Sequence, residues 1–99
     1  MKFEFDDQPI DSIIEKITTL LSGRKLGEMV KVSQNGETLD VVINKMGKSV
    51  LSFDSSCENG KRCFELKKEK IAMTHKAFKK DVTDKIKAVI VKSGGKIND

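Results

Sequence analysis

Residues 30–54, VKVSQNGETLDVVINKMGKSVLSFD, decide the fold. Val30 and Val32 alternate with Lys31 and Ser33, and Leu39, Val41 and Ile43 alternate with Thr38, Asp40 and Asn44. A period of two marks a strand with one face buried. Asn35-Gly36 stands between the two runs, and both residues tolerate the positive φ that a two-residue type I′ turn demands. The stretch therefore reads as a hairpin with strands at 28–34 and 37–45. Met46-Gly47 suits a second tight turn, and Leu51 and Phe53, alternating with Val50, Ser52 and Asp54, place another strand at 48–54. Successive strands joined by such short turns must run antiparallel.

Working outward, Ser55 to Gly60 is rich in turn formers, and Cys63, Phe64 and Leu66 beyond it suggest a fifth strand. Its parity slips near Lys68, because Ile71 and Met73 fall out of phase with Phe64 and Leu66, so a bulge or bend is expected there. On the N-terminal side, Phe3 and Phe5 alternate with Lys2, Glu4 and Asp6, a short strand at 2–6. Asp7-Gln8-Pro9 then opens a helix, where a missing proline N–H costs nothing. Ile10, Ile13, Ile14, Ile17, Leu20 and Leu21 form its apolar face, and Ser22-Gly23 ends it.

A second helix is expected from Thr74, as N-cap, to Ser93, with Phe78, Val82, Ile86, Val89 and Ile90 on one face. Gly94-Gly95 stops it. Asp81 and Asp84 offer a later start, which would leave Thr74 to Lys80 as a separate turn, and residues 96–99 should fray. The chain thus reads as one α+β domain over residues 1–99, in the order β-α-β-β-β-β-α. Four to five antiparallel strands form its sheet, and two helices pack on one face.

With 99 residues, 37% hydrophobic and 34% charged, the chain has room for one core. No apolar run approaches the roughly 20 residues of a bilayer-spanning helix. Met1 to Asp7 lack the pattern of a secretory signal, so a cytoplasmic protein is expected. The net charge of +4 is unevenly spread. Residues 1–60 carry seven basic and ten acidic side chains, net −3, whereas residues 61–96 carry twelve basic and four acidic, net +8. Lysine supplies nearly all of that positive charge, and Arg62 is its one arginine. Bidentate reading of phosphates and guanines relies on arginine, so a lysine-rich segment points to loose, salt-sensitive contact with a polyanion, or to a solvated surface. The candidate contact residues are Lys67, Lys68, Lys76, Lys80, Lys85, Lys87 and Lys92, and the partners they suit are nucleic acid, ribosomes or another anionic surface.

Motifs for chemistry are absent. Cys57 and Cys63 flank Asn59-Gly60: a strict two-residue loop would send the thiols to opposite faces, and a longer one would bring them opposite each other. Two free thiols are the simpler expectation. His75 is the only histidine and reads as an exposed residue at the start of a helix. Asp6, Asp7 and Asp11 fit the positive end of the first helix dipole more simply than a cation site. The glycines form no phosphate loop, and Phe3, Phe5, Phe53, Phe64 and Phe78 serve the core better than a base-stacking platform. No catalytic, cofactor or metal residues are assigned.

The stretch Lys31 to Val91, with Asn35-Gly36-Glu37-Thr38-Leu39 and the run Ala77 to Ile86, resembles the small polyhydroxyalkanoic acid system proteins encoded beside granule genes. In that family a strand and helix lead into a meander and a closing helix. This sequence has Asp6-Asp7 where the family tends to carry a histidine. The resemblance implies a small, non-enzymatic, granule-associated protein. The expectation is a binding or accessory protein for an anionic partner. The alternative is a module that binds an apolar surface, granule or lipid-like ligand between sheet and helices, and a homodimer could form through a sheet edge.

Overall fold

The computed structural model describes residues 1–23 and 25–98, without the side chains of Lys25, Leu26 and Phe78. In chain order the elements are β1 (Lys2–Asp6), α1 (Ile10–Leu21), a short α2 (Lys25–Met29), β2 (Val30–Asn35), β3 (Thr38–Asn44), β4 (Lys48–Glu58) and β5 (Lys61–Lys70). A 3₁₀ segment (Met73–Phe78), α3 (Lys79–Lys92) and β6 (Lys96–Ile97) complete it. The strands form one antiparallel sheet in the order β2-β3-β4-β5-β1-β6.

One core joins the inner face of the sheet to both long helices. Ile10, Ile13, Ile17 and Leu21 of α1 and Val82, Ile86, Val89 and Ile90 of α3 are buried, the stripes that helical spacing marks out. They meet Val30, Leu39, Val41, Ile43, Leu51 and Phe53 from the meander. Phe3 stacks on Phe64 at 4.9 Å between ring centroids and meets Phe53 edge-on at 5.1 Å. This cluster welds β1 to the far end of the meander, and the expected buried faces for these phenylalanines hold. The side chain of Phe78, expected at the head of the second stripe, lies outside the described residues.

Five expectations about the elements need correction. The strand expected at 28–34 starts at Val30, because Glu28 and Met29 belong to α2. The β2–β3 loop is Gly36-Glu37, since Asn35 pairs with Thr38, and of the two loop residues only Gly36 has positive φ, at 63°. Moving the turn by one residue moves both strand ends together, so the valines keep their face. β4 continues to Glu58, because Ser55 to Glu58 stay in ladder with Lys61 to Phe64, and the turn is confined to Asn59-Gly60, with φ 50° and 74°. Their polar composition fits their exposure, with residues 56–61 all exposed. Lys96 and Ile97 pair with Glu4 and Phe3 as a sixth strand where fraying was expected. Gly95 makes this return feasible, since a Cβ there would come within 2.9 Å of Phe5 Cζ and 2.6 Å of Ile90 Cγ2. Finally, Thr74 does not cap a long helix. Its hydroxyl donates to the Met46 carbonyl at 2.8 Å, and the helix proper starts at Lys79, as the alternative start allowed.

The bulge falls near Lys68, where parity predicts it. Phe53 faces Leu66 but Ser52 faces Lys68, so Lys67 is the additional residue. An unbroken ladder would have put Lys68 opposite Leu51 on the core side and Glu69 on the outer side. The inserted residue reverses both assignments, turning Lys68 and Lys70 outward and leaving Glu69 under α3, where it forms an ion pair with Lys79.

Candidate functional sites

Among the described residues both long helices pack on the inner face of the sheet, and none packs on the outer one. Strand parity assigns its residues: Lys31 and Ser33 of β2, Asp40 and Val42 of β3, Lys48, Val50 and Ser52 of β4, and Lys68 and Lys70 of β5 share its lower half. Lys31, Val42, Val50 and Lys70 lie in one row across four strands, roughly 14 Å from end to end at the usual strand spacing. Lys48 and Lys68 stand on either side of that row. The two valines are half-buried, the four lysines are exposed, and none of the four has a carboxylate within 4 Å among the described residues. Among the described residues Asp40 is the one acidic group in this half.

The structure distributes the lysines singled out by sequence over both layers. Lys68 stands on the open face, and Lys67 occupies the bulge. Lys76 lies on the 3₁₀ segment and Lys80 on the first turn of α3, both exposed. Lys85 forms an ion pair with Asp81 at 3.2 Å. Lys92 borders a shallow groove with Glu15 and Lys16 of α1. Lys87 lines a cleft between α3 and the sheet, and these seven residues form no single patch. Lys31 and Lys48, which complete the open-face cluster, were hidden in the net-acidic half of the chain. Their signal was parity: Lys31 alternates with Val30 and Val32, and Lys48 shares the phase of Val50.

The cleft that includes Lys87 is open and measures about 650 Å³. Met1, Leu51 and Leu66 form its apolar floor, and Lys79, Thr83 and Lys87, spaced four residues apart on α3, form one wall. Lys79 is held by Glu69, and Lys2 at the mouth pairs with Glu65 at 3.9 Å. Another open groove of about 560 Å³, lined by Thr18, Leu21, Val30 and Val32 among others, lies between the end of α1 and β2. The apolar void within the core, lined by Ile17, Leu21, Val41 and Ile86 among others, measures about 20 Å³.

His75 is buried, contrary to the exposed position expected of it. The reason is the 3₁₀ segment, which folds back over the β3–β4 turn and drives the ring against it. His75 Nδ1 lies 2.5 Å from Ser49 Oγ, and Nε2 lies 2.6 Å from the Lys45 carbonyl. Ala72 N–H donates to the same Ser49 oxygen at 2.8 Å. A carbonyl only accepts, so Nε2 carries a proton. With one Ser49 lone pair taken by Ala72, the hydroxyl proton points to Nδ1. A serine beside a histidine suggests an activated nucleophile. Here Ser49 is wholly buried and its oxygen already engaged, so the pair is a structural tie.

The β4–β5 loop has only two residues, so Cys57 opposes Arg62, Cys63 opposes Ser56, and the thiols lie on opposite faces as free cysteines. Burial, followed by Glu58 and Glu4, pushes the Cys63 thiol above its ordinary value, and Lys61 opposes the shift. Of the acidic trio, Asp6 pairs with Lys61 at 3.4 Å, Asp7 accepts a long contact from Cys57 Sγ at 3.7 Å, and Asp11 sits in the first turn of α1. Among the described residues no three His, Cys, Asp or Glu side chains converge on a metal position. No described helix is long and apolar enough to cross a membrane.

Comparison with known proteins adds no family to this geometry: no family model, no curated protein and no solved structure matches the chain.

Proposed function

We propose that the chain is a binding protein whose open sheet face docks on the phosphate backbone of a nucleic acid. One observation carries this reading: among the described residues Lys31, Lys48, Lys68 and Lys70 are unpaired and stand around Val42 and Val50 on a face that no other described element covers. Lysine supplies point charges without a planar fork, and the four described phenylalanines are all buried in the core, so contact would be with phosphates and largely indifferent to base sequence. The alternative of an apolar ligand held between sheet and helices has less support: the void inside the core is about 20 Å³, and the open cleft beside α3 is rimmed by Lys2, Glu69, Lys79 and Lys87.

Fluorescence anisotropy with labelled duplex DNA and single-stranded RNA at two salt concentrations tests the proposal. Four phosphate contacts give a slope of log K against log salt of about −3 to −4 on duplex, or on the order of a hundredfold loss for a fourfold rise in salt. No binding at low salt, or binding that survives neutralisation of all four lysines, overturns it. Binding to an acidic protein in place of either nucleic acid would overturn the choice of partner.

A further inference from the structure

The open face has a second half, and its charge is opposite. Beyond the level of Phe53 the outward residues include Glu58 and Asp54 of β4, Glu65 of β5, and Glu4 and Asp6 of β1, five carboxylates among the three lysines Lys2, Lys61 and Lys96. The lower half has four lysines and Asp40. The face is therefore polarised along its strands, basic at one end and acidic at the other.

From this polarity we infer that a second copy of the chain docks on the open face, with its strands reversed about a two-fold axis lying across them. Such an axis sets β4 against β4 and β5 against β5 of the other copy. Lys48 and Glu58 are equidistant from Phe53 along β4. On β5, Glu65 pairs with Asp54 and Lys68 with Ser52, so these two also flank the level of Phe53 symmetrically, the bulge having placed Lys68 there. One axis over Phe53 thus brings Glu58 against Lys48 of the second copy and Glu65 against its Lys68, each contact occurring twice. Both matches following from a single operation is the argument for a second copy over an unrelated partner. Strands β4 and β5 run to both sides of the Phe53 level, whereas β1 lies wholly on its acidic side and β2 and β3 almost wholly on its basic side, so the contact is centred on two strands, roughly 10 Å by 36 Å, or roughly 350 Å² per copy, below the ~800 Å² of a standard interface, as suits a weak and salt-sensitive dimer. With Val50 as its apolar contact, the dimer is held mainly by charge, and it covers Lys48, Lys68 and Lys70, three of the four lysines that nucleic acid would use.

Sedimentation equilibrium on the full chain is the test. The mass should rise from 11.1 kDa toward twice that with concentration at low salt, and fall back at high salt. The double variants Lys48→Glu/Lys68→Glu and Glu58→Lys/Glu65→Lys should each remain monomeric, yet associate when mixed, because every contact between them is then between opposite charges. A monomer at all concentrations overturns the inference. So does a dimer insensitive to salt and to both variants, the behaviour of pairing through the β2 edge. Circular dichroism checks that these surface variants fold, and Glu65→Gln with Lys68→Gln repeats the loss without charge reversal. The Glu58→Lys/Glu65→Lys variant keeps all four open-face lysines. If it is monomeric but fails to bind nucleic acid, the proposed function falls while the dimer stands.

Discussion

Ser49 and His75, twenty-six residues apart, are joined through a 2.5 Å hydrogen bond that fastens the β3–β4 turn to the segment leading into α3. The same serine oxygen accepts the Ala72 N–H, and the far side of the ring reaches the Lys45 carbonyl. Replacing Ser49 by alanine leaves the Ala72 donor and the ring nitrogen unsatisfied in a buried place. A loss of about 1–3 kcal/mol is expected in urea unfolding, with a larger loss for His75→Ala, which also leaves a cavity. If Ser49→Ala unfolds at the wild-type urea midpoint, the tie contributes nothing.

Gly47 sits beneath this tie at φ 138°, and a Cβ on it would lie 2.7 Å from Thr74 Oγ1 and 3.2 Å from Ala72 Cβ. Alanine there meets both backbone strain and a clash. Gly47→Ala should cost more than about 1 kcal/mol, whereas Gly36→Ala meets the strain alone, its Cβ having nothing within 4 Å. Thermal unfolding of the two variants side by side measures the difference.

Thiol reactivity should divide the two cysteines. Cys57 is exposed, while Cys63 is partly buried and held protonated by that burial and by Glu58 and Glu4. Near neutral pH a small alkylating reagent should modify Cys57 first. Since the Cys63 shift is upward, its rate should keep climbing with pH beyond the range of an ordinary thiol. Glu4→Gln with Glu58→Gln should move that rise to lower pH, as followed by peptide mass spectrometry.

Single lysine neutralisations separate the two layers. Lys31→Gln, Lys48→Gln, Lys68→Gln and Lys70→Gln should each reduce the salt slope of duplex binding by about 1, whereas Lys76→Gln, Lys80→Gln, Lys85→Gln and Lys92→Gln on the helical side should leave it unchanged. The reverse ranking would move the contact surface to the helices.

Much of this architecture is legible in the residues. Alternation of Val30, Val32, Leu39, Val41, Ile43, Leu51 and Phe53 specifies the meander, and the spacing of Ile10 to Leu21 and of Val82 to Ile90 specifies the helices, because burial periodicity is a local property. The bulge at Lys67 shows as a parity slip for the same reason. Burial of His75 is not local: it arises when the 3₁₀ segment meets a turn almost thirty residues earlier, and nothing adjacent to His75 in the chain announces that. The open-face lysines illustrate both cases. Lys68 and Lys70 belong to a visibly basic segment, while Lys31 and Lys48 join them only through strand pairing, which a running count of charge along the chain conceals.

The place of β1 between β5 and β6 bears on the order in which the protein assembles. Strands β2 to β5 follow one another in sequence and in the sheet, so each can add to the last through a short turn. The opening strand has no such neighbour. Its hydrogen-bonding partners are residues 61–65 on one side and 96–97 on the other. During synthesis Phe3 and Phe5 therefore gain their β5 partners only once residues 61–65 have emerged. Their outer flank is sealed only by the last two paired residues. Closing that long loop is a slower kind of contact than the short turns of the meander, which sets the docking of β1 apart from the strand-by-strand growth of β2 to β5.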